Sequence, residues 1–177
     1  MLVSIGRLER YKGHQRLIAA LPYIAQHIPD VHLWIAGSGP YEATLKRLAE
    51  KLNVADRVEI RAVPATERTQ MAEELSRATL VVLLSEYETQ PIAVLEAAAL
   101  GRPVLVADTS GLHELANQGF AQAIPLNSTP QQVADAVLEL IRAPLTPPSI
   151  TLPTWDECAV RLSSLYQQVI QGVPCAS

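Results

Sequence analysis

Two basic side chains, Arg7 and Lys12, stand between the first apolar run of the chain and its first helical pattern. The run Leu2-Val3-Ser4-Ile5 predicts a strand, so both cations would follow its carboxyl end just before a helix begins. A planar guanidinium and a compact ammonium group can bind the oxygens of a diphosphate. They can also stabilise the negative charge that develops on a diphosphate when it acts as a leaving group. A solvated basic loop that binds nothing is the alternative interpretation.

A second loop, Gly37-Ser38-Gly39-Pro40, follows the apolar segment Val31–Ala36 and precedes a helical pattern. Backbone without a side chain can approach a phosphate closely at such a helix N-terminus. The dinucleotide fingerprint GxGxxG would require glycine at position 42, where the chain has Glu42, so a nicotinamide-binding fold is poorly supported. A tight turn without a ligand is the alternative.

Two glutamates, Glu88 and Glu96, are separated by seven residues. Glu88 follows the most apolar run of the chain, and Glu96 is the lone charge of the helical segment Ile92–Leu100. We expect this segment to be buried, and a buried carboxylate must pair with a cation, become neutral or accept hydrogen bonds. The hydroxyls of a ribose could donate to Glu96 and those of a sugar to Glu88. An internal salt bridge of Glu96 is the alternative.

The remaining polar side chains indicate neither a metal nor a disulfide framework. The loop from Asp108 to Leu115 mixes polar residues, and we expect its His113 to cap a helix or face solvent. Neither an Asp-x-Asp motif nor a cluster with metal-ligand spacing is present, and Cys158 and Cys175 match no metal or disulfide pattern. We therefore expect a metal-independent protein with reduced thiols.

Short runs rich in valine, isoleucine and leucine alternate with helical segments along the chain, which is typical of βαβ units. This pattern predicts one domain over residues 1–177, with a doubly wound parallel sheet and helices on both faces. Such sheets bind ligands beyond the carboxyl ends of their strands. The six predicted strands are Leu2–Ile5, Val31–Ala36, Arg57–Arg61, Leu80–Leu84, Pro103–Ala107 and Ala121–Ile124.

The helical segments carry recognisable start and stop signals. Leu17, Leu21 and Ile28 indicate a first helix, which Pro22 should bend or break. Thr129 and Thr154 each precede Gln or Glu by three residues, which predicts capping boxes at two C-terminal helices. A proline-rich link over 144–153 would separate the terminal helix, within 154–171, from the main body.

Composition excludes several classes of partner. The 18 acidic and 14 basic side chains give a net charge of −4, and no lysine or arginine run exceeds two, so we do not expect nucleic acid. The longest charge-free apolar run, Ala78–Leu84, is far shorter than the roughly 20 residues of a membrane span. With no basic leader at its start, the chain is expected to be cytoplasmic, and peripheral membrane association of a full-length protein stays open.

Taken in order, these loops resemble the carboxyl-terminal domain of glycosyltransferase family 4, the retaining GT-B enzymes formerly grouped as glycosyl transferases group 1. The resemblance extends from Leu2 to about Ile170, and its terminal segment begins at Trp155-Asp156. The matching elements are Gly6-Arg7 with Lys12-Gly13, the loop Ala36–Pro40, Glu88 with Glu96, Glu96-Ala97 with Gly101–Val104, and Gly111–Leu115.

The resemblance implies a Rossmann-like half of a GT-B fold that binds a nucleoside diphosphate sugar, without any other cofactor. Arg7 and Lys12 would bind the donor diphosphate and stabilise the leaving group, and Glu88 would contact the transferred sugar as the third catalytic residue. Glu96 would accept hydrogen bonds from the ribose, and backbone around Val63 would hold the base. The donor-binding set also includes the backbone of Gly37 and Gly39.

Two features depart from the family pattern. Thr89-Gln90-Pro91 stands where the family has Gly-Phe-Gly, and Pro91 has no N–H to donate, although the amides of Ile92 and Ala93 could still meet a phosphate. Sugar specificity therefore cannot be inherited from the family. The N-terminal acceptor domain of a GT-B enzyme is absent, so we expect weak donor binding and little turnover. A docking module, a sugar-nucleotide epimerase and a phosphorylase-type enzyme are the alternatives.

Overall fold

A computed structural model describes residues 1–64, 66–148 and 154–171. In these residues the sheet contains β1 (Leu2–Ile5), β2 (Leu33–Ala36), β3 (Val58–Ile60), β4 (Leu80–Leu83), β5 (Val104–Ala107) and β6 (Gln122–Ile124). The helices there are α1 (His14–Ala25), α2 (Glu42–Lys51), α3 (Arg68–Ser76), α4 (Ile92–Ala99), α5 (Ser110–Asn117), α6 (Pro130–Arg142) and α7 (Trp155–Ile170).

Every pairing in the sheet is parallel, and the strand order is β3-β2-β1-β4-β5-β6. The predicted fold class, a doubly wound α/β sheet of six strands, is confirmed, although each strand except β1 is shorter than its apolar run. The chain runs from β1 to one side and then crosses back to β4 on the other. The loops after β1 and β4 therefore flank the crevice where sheets of this topology bind ligands.

The central strands β2, β4 and β5 are buried along their whole length, as expected for strands covered on both faces. On one face, α1 packs against α6 and α2. The expected break at Pro22 does not occur: α1 continues through this proline and ends at Ala25. Leu21 and Ile24 on either side of Pro22 are fully buried, so side-chain packing holds the last turn despite the lost backbone hydrogen bond.

Both predicted capping boxes are confirmed. At α6 the Thr129 hydroxyl accepts from the Gln132 amide, and the Gln132 side chain accepts from the Thr129 amide at 2.8 Å. Thr154 and Glu157 repeat the arrangement at α7. Residues 144–148 are not helical, whereas 149–153 of the predicted link, and Cys175, lie outside the described residues. None of the residues of α7 is buried.

Glycine lets the loops at the carboxyl edge of the sheet pack directly on one another. A Cβ on Gly37 would lie 1.9 Å from the carbonyl oxygen of Gly6, and one on Gly13 would lie 2.0 Å from that of Leu84. No side chain fits at such distances, because real Cβ contacts begin near 3 Å. At these glycines the loops after β1, β2 and β4 therefore pack backbone against backbone.

This contact predicts that Gly37→Ala destabilises the chain. The new methyl group would push the loop after β1 away from β2, which should lower the free energy of unfolding by about 3 kcal/mol. Gly101→Ala is the matched control, because Gly101 has φ +66° but nothing within 4 Å of the added Cβ; backbone strain alone should cost about 1 kcal/mol. Urea unfolding measures both, and an equal or smaller loss for Gly37→Ala would contradict the steric argument.

Candidate functional site

An ion pair joins the loop after β1 to the loop after β4. Lys12 Nζ donates to Glu88 Oε1 at 2.7 Å, and the two side chains are only 15% and 12% exposed. Ser85 Oγ donates to the same carboxylate oxygen at 2.7 Å. Charges withdrawn from water to this degree need several partners, and Glu88 has two through one oxygen. The structure thus brings together two of the three predicted catalytic residues.

A short 3₁₀ turn positions Lys12. It spans Arg10–Lys12 and ends at Gly13, whose φ of 74° reverses the backbone into α1. The Glu86 amide donates to the Tyr11 carbonyl at 2.7 Å, which fixes this turn to the loop after β4. The Lys12 side chain therefore extends toward Glu88 from a backbone that is fixed in place.

The start of α5 holds Glu88 from the other side. The Glu88 amide donates to Ser110 Oγ at 2.9 Å, and the Gly111 amide donates to the Glu88 carbonyl at 2.9 Å. A Cβ on Gly111 would lie 2.6 Å from the Thr89 carbonyl oxygen, so this position needs glycine. Ser110 has φ 42°, an uncommon value for a residue with a side chain, and it keeps its hydroxyl under Glu88.

Arg7, the third predicted catalytic residue, lies in the same loop but does not touch the ion pair. Its side chain is 72% exposed, donates to the Tyr11 hydroxyl at 2.8 Å and lies 3.9 Å from the Glu9 carboxylate. An exposed pair at that separation contributes little to stability. Arg7 is therefore free to turn toward an anion that arrives at the mouth of the crevice.

A buried histidine lies beneath these cations. His14 is 1% exposed; its Nδ1 lies 2.9 Å from Ser4 Oγ, and its Nε2 lies 3.3 Å from the Arg7 carbonyl oxygen. Burial lowers the pKa of His14 below its ordinary value. Hydrogen bonds to backbone carbonyls and the Glu88 charge oppose this effect, and the Lys12 charge adds to it.

Glu96 is exposed, so the expectation that its helical segment is buried is wrong for this residue. Helix α4 buries only Val94, Ala97 and Ala98, while Ile92 and Glu96 face outward. An almost wholly apolar helix is thus buried on one side only, and its outer side borders a groove.

The groove lies between α3 and α4 and has a volume of about 410 Å³. Val63, which we expect to hold the base, lines it together with Glu96, so the structure brings these two predicted donor-binding residues together. Desolvation by the groove walls raises the pKa of Glu96, and the nearby Arg68 cation partly opposes the rise. The other lining residues are Pro64, Met71, Ala72, Leu75, Ala99 and Leu100.

The two amides expected at the start of α4 differ in their availability. The Ile92 amide donates to the Gln90 carbonyl at 2.9 Å across Pro91, whose φ of −78° and ψ of 78° make an inverse γ-turn. The Ala93 amide has no hydrogen-bond partner in the part of the chain that the structure describes. Of the two, only Ala93 can donate to a ligand without breaking an existing bond.

Gly37 and Gly39 serve loop packing in this structure. A Cβ on Gly39 would lie 2.7 Å from the Leu8 carbonyl oxygen, and the Leu8 amide donates to the Ser38 carbonyl at 2.9 Å. The alternative interpretation of this loop, a tight turn, therefore accounts for both glycines. A contact of either glycine with a ligand stays a prediction.

Several residues of the site had no role in the sequence-based predictions. Ser85 is the first polar residue after the apolar run of β4, a position that could have drawn attention to it. Ser110, His14 and Arg68 carry no such signal, because their contacts depend on how the loops and helices fold onto one another. His113, predicted to cap a helix or face solvent, is 53% exposed and contacts Asp108 at 2.5 Å.

Comparison with known proteins decides the family. Residues 1–150 match the family model described as glycosyl transferases group 1. The chain belongs to this family. It is 31% identical over 145 residues to a GDP-mannose-dependent alpha-(1-6)-phosphatidylinositol monomannoside mannosyltransferase of Mycobacterium tuberculosis. The match covers 79% of this chain but 38% of that enzyme, so the chain spans well under half of this group 1 relative.

Two solved structures share the fold of this group 1 chain. The C-terminal domain of a glycosyl transferase group 1 family protein from Francisella tularensis aligns with a TM-score of 0.67 at 19% identity, over 80% of this chain and 75% of that one. An Anabaena protein solved with UDP aligns with a TM-score of 0.71 at 21% identity, over 97% of this chain and 48% of that one. At these identities the likeness concerns the fold alone.

The described part of the group 1 chain contains neither a metal-ligand cluster nor a membrane-spanning helix. Within residues 1–64, 66–148 and 154–171, no group of three His, Cys, Asp or Glu side chains is close enough to hold a metal ion. No helix in those same ranges is long and apolar enough to cross a membrane.

The ion pair predicts that Lys12→Met destabilises the chain, since Glu88 would keep its charge in a largely desolvated place with one donor fewer. We expect a loss of about 2 kcal/mol in the free energy of unfolding. Lys46→Met is the matched control, because Lys46 pairs with Glu42 at 2.6 Å on an exposed helix surface; it should cost at most about 0.5 kcal/mol. Equal losses in urea unfolding would show that the Lys12–Glu88 pair is no more than a surface contact.

Proposed function

We propose that this chain is the donor-binding domain of a retaining glycosyltransferase, which moves a sugar from a nucleoside diphosphate sugar to an acceptor. One observation carries the proposal: Lys12 and Glu88 pair between the loops after β1 and β4, and Arg7 is exposed in the first of these loops. A cation for the phosphates thus lies beside a carboxylate for the sugar. Parallel sheets of this order bind ligands at this crevice.

The two cations act on the diphosphate. Negative charge grows on the phosphate oxygens as the bond to the sugar breaks, and a fixed cation favours that state over the ground state. Lys12 is held in place by Glu88, and the exposed Arg7 can add two parallel N–H donors. We assign the leaving-group role to these two residues, and in this scheme no metal ion is required.

Glu88 binds the sugar that is transferred. Its Oε1 is engaged by Lys12 and Ser85, whereas its Oε2 has no hydrogen-bond partner among the described residues. That oxygen can accept from a sugar hydroxyl. Because the carboxylate is already fixed by two donors and by its backbone, it is suited to orient the sugar.

The groove between α3 and α4 takes the nucleoside. Its volume of about 410 Å³ and apolar walls suit a base, and Glu96 at its edge can accept hydrogen bonds from ribose hydroxyls. A relative that depends on GDP-mannose and a fold neighbour solved with UDP support a nucleoside diphosphate as ligand. We leave the base and the sugar unassigned.

A second domain supplies the acceptor site in this proposal. The chain covers 38% of its mannosyltransferase relative. Helix α7 supports a further interface, since four large apolar side chains recur on it at helical spacing and are 48% to 85% exposed: Trp155, Leu162, Tyr166 and Val169.

We propose that the complete enzyme works in the cytoplasm and retains the anomeric configuration of the transferred sugar. Proton NMR of its product would establish the configuration. An inverted product would overturn retention.

Calorimetry with this chain tests donor binding. We expect UDP, GDP or ADP to bind at millimolar concentration, and Arg7→Ala and Lys12→Ala each to weaken binding by about tenfold, since each removes a charge-assisted contact. Lys46→Ala, which removes the same charge from an exposed helix surface, should bind like the wild type.

Absence of heat with all three nucleotides would overturn the donor-binding proposal and favour a docking module. Binding that both loop variants leave unchanged would show that the nucleotide sits elsewhere. An effect of Lys46→Ala equal to that of Lys12→Ala would reduce the result to net charge.

A further inference from the structure

The scheme above leaves one buried titratable side chain without a role. Among the described residues the buried polar side chains are Ser4, His14 and Ser85, and Ser85 already belongs to the ion pair. His14 and Ser4 contact each other directly beneath the loop that carries Arg7 and Lys12. Burying an imidazole is costly unless its nitrogens are satisfied, so this contact calls for a physical explanation.

The partners of His14 define which ring nitrogen carries the proton. The Arg7 carbonyl can only accept, so the Nε2 that lies 3.3 Å from it must be the donor. Burial disfavours the charged ring, as the lowered pKa also indicates, and a neutral ring then has a bare Nδ1. That nitrogen accepts from the Ser4 hydroxyl at 2.9 Å. Both ring nitrogens are thereby satisfied in a single tautomer.

The ring spans the point where the chain turns from β1 into the basic loop. Ser4 lies in β1, and the Arg7 carbonyl lies beyond Gly6, whose φ is +150°. A Cβ on Gly6 would be 3.5 Å from the Lys12 side chain and 3.8 Å from His14 Nε2. His14 and the stem of Lys12 therefore converge on the same side of this glycine.

We propose that His14 is a positioning residue of the diphosphate site, a proposal that rests on the proposed function. Its Nε2–H holds the Arg7 peptide in the one orientation that places the Arg7 and Lys12 side chains at the same crevice. Ser4 acts one step further back, because its hydroxyl donates to Nδ1 and so anchors the ring that donates to Arg7. Neither residue touches the nucleotide, and the ring works as a neutral hydrogen-bonding bridge.

Variants at His14 test the bridge in calorimetric titrations with UDP, GDP and ADP. His14→Phe keeps a ring but removes both hydrogen bonds, and the loss of the bond to Arg7 should weaken binding by about tenfold. His14→Gln can still donate to the Arg7 carbonyl and should recover most of the affinity. Thr129→Ala is the control for stability alone, since it removes the cap of α6 and leaves the loop intact; its affinity should be that of the wild type.

Ser4→Ala makes the test independent of any folding defect in His14→Phe. It removes the hydroxyl that His14 Nδ1 accepts from, and we expect about threefold weaker binding because the ring loses one of its two anchors. In the wild type, the ¹⁵N NMR signals of the ring should show protonated Nε2 and bare Nδ1 at neutral pH.

The outcomes separate the two proposals. A wild-type chain that binds none of the three nucleotides overturns the proposed function and this role with it. Wild-type binding that a folded His14→Phe leaves unchanged, or that Ser4→Ala leaves unchanged when His14→Phe does not fold, overturns the positioning role alone. A ring protonated on Nδ1 in the wild type also overturns it.

Discussion

The contact between Lys12 and Glu88 is the interaction on which the rest of the site depends. It connects residues 76 positions apart and is largely withdrawn from water. A lone charge in this place would cost several kcal/mol, so each partner offsets the desolvation of the other. The contact exists because the sheet order brings the loop after β1 beside the loop after β4. Ser85 and Ser110 then fix the carboxylate and its backbone, so the polar part of the site is built before any ligand arrives.

The rigidity of this polar part has a backbone origin. Loops that meet at glycine leave no side chains between them, so small displacements are blocked by hard contact as well as by hydrogen bonds. His14 adds a third constraint by joining β1 to the Arg7 peptide. A preorganised arrangement of this kind suits electrostatic stabilisation, because fixed groups need not reorganise when charge develops.

The apolar part of the site is different in character. The groove between α3 and α4 is open, and its walls include side chains that sequence reasoning placed inside the core. Ile92 on α4 is 57% exposed, and α7 has large apolar side chains with no cover in the described residues. Exposed apolar surface of this extent on a group 1 glycosyltransferase chain is consistent with a ligand on one face and a partner domain on another.

Sequence alone determined the parallel sheet, the order of its elements and the two capping boxes, because hydrophobic period and cap residues act over a few neighbouring positions. It also identified Lys12 and Glu88 as candidate site residues, since charged residues that follow apolar strands must lie at the carboxyl edge of a parallel sheet. Tertiary structure decided the rest: the outward face of Glu96, the continuation of α1 through Pro22 and the bridge from Ser4 through His14 to Arg7. Each of these depends on how segments pack in three dimensions, and such packing leaves no periodic trace in the chain.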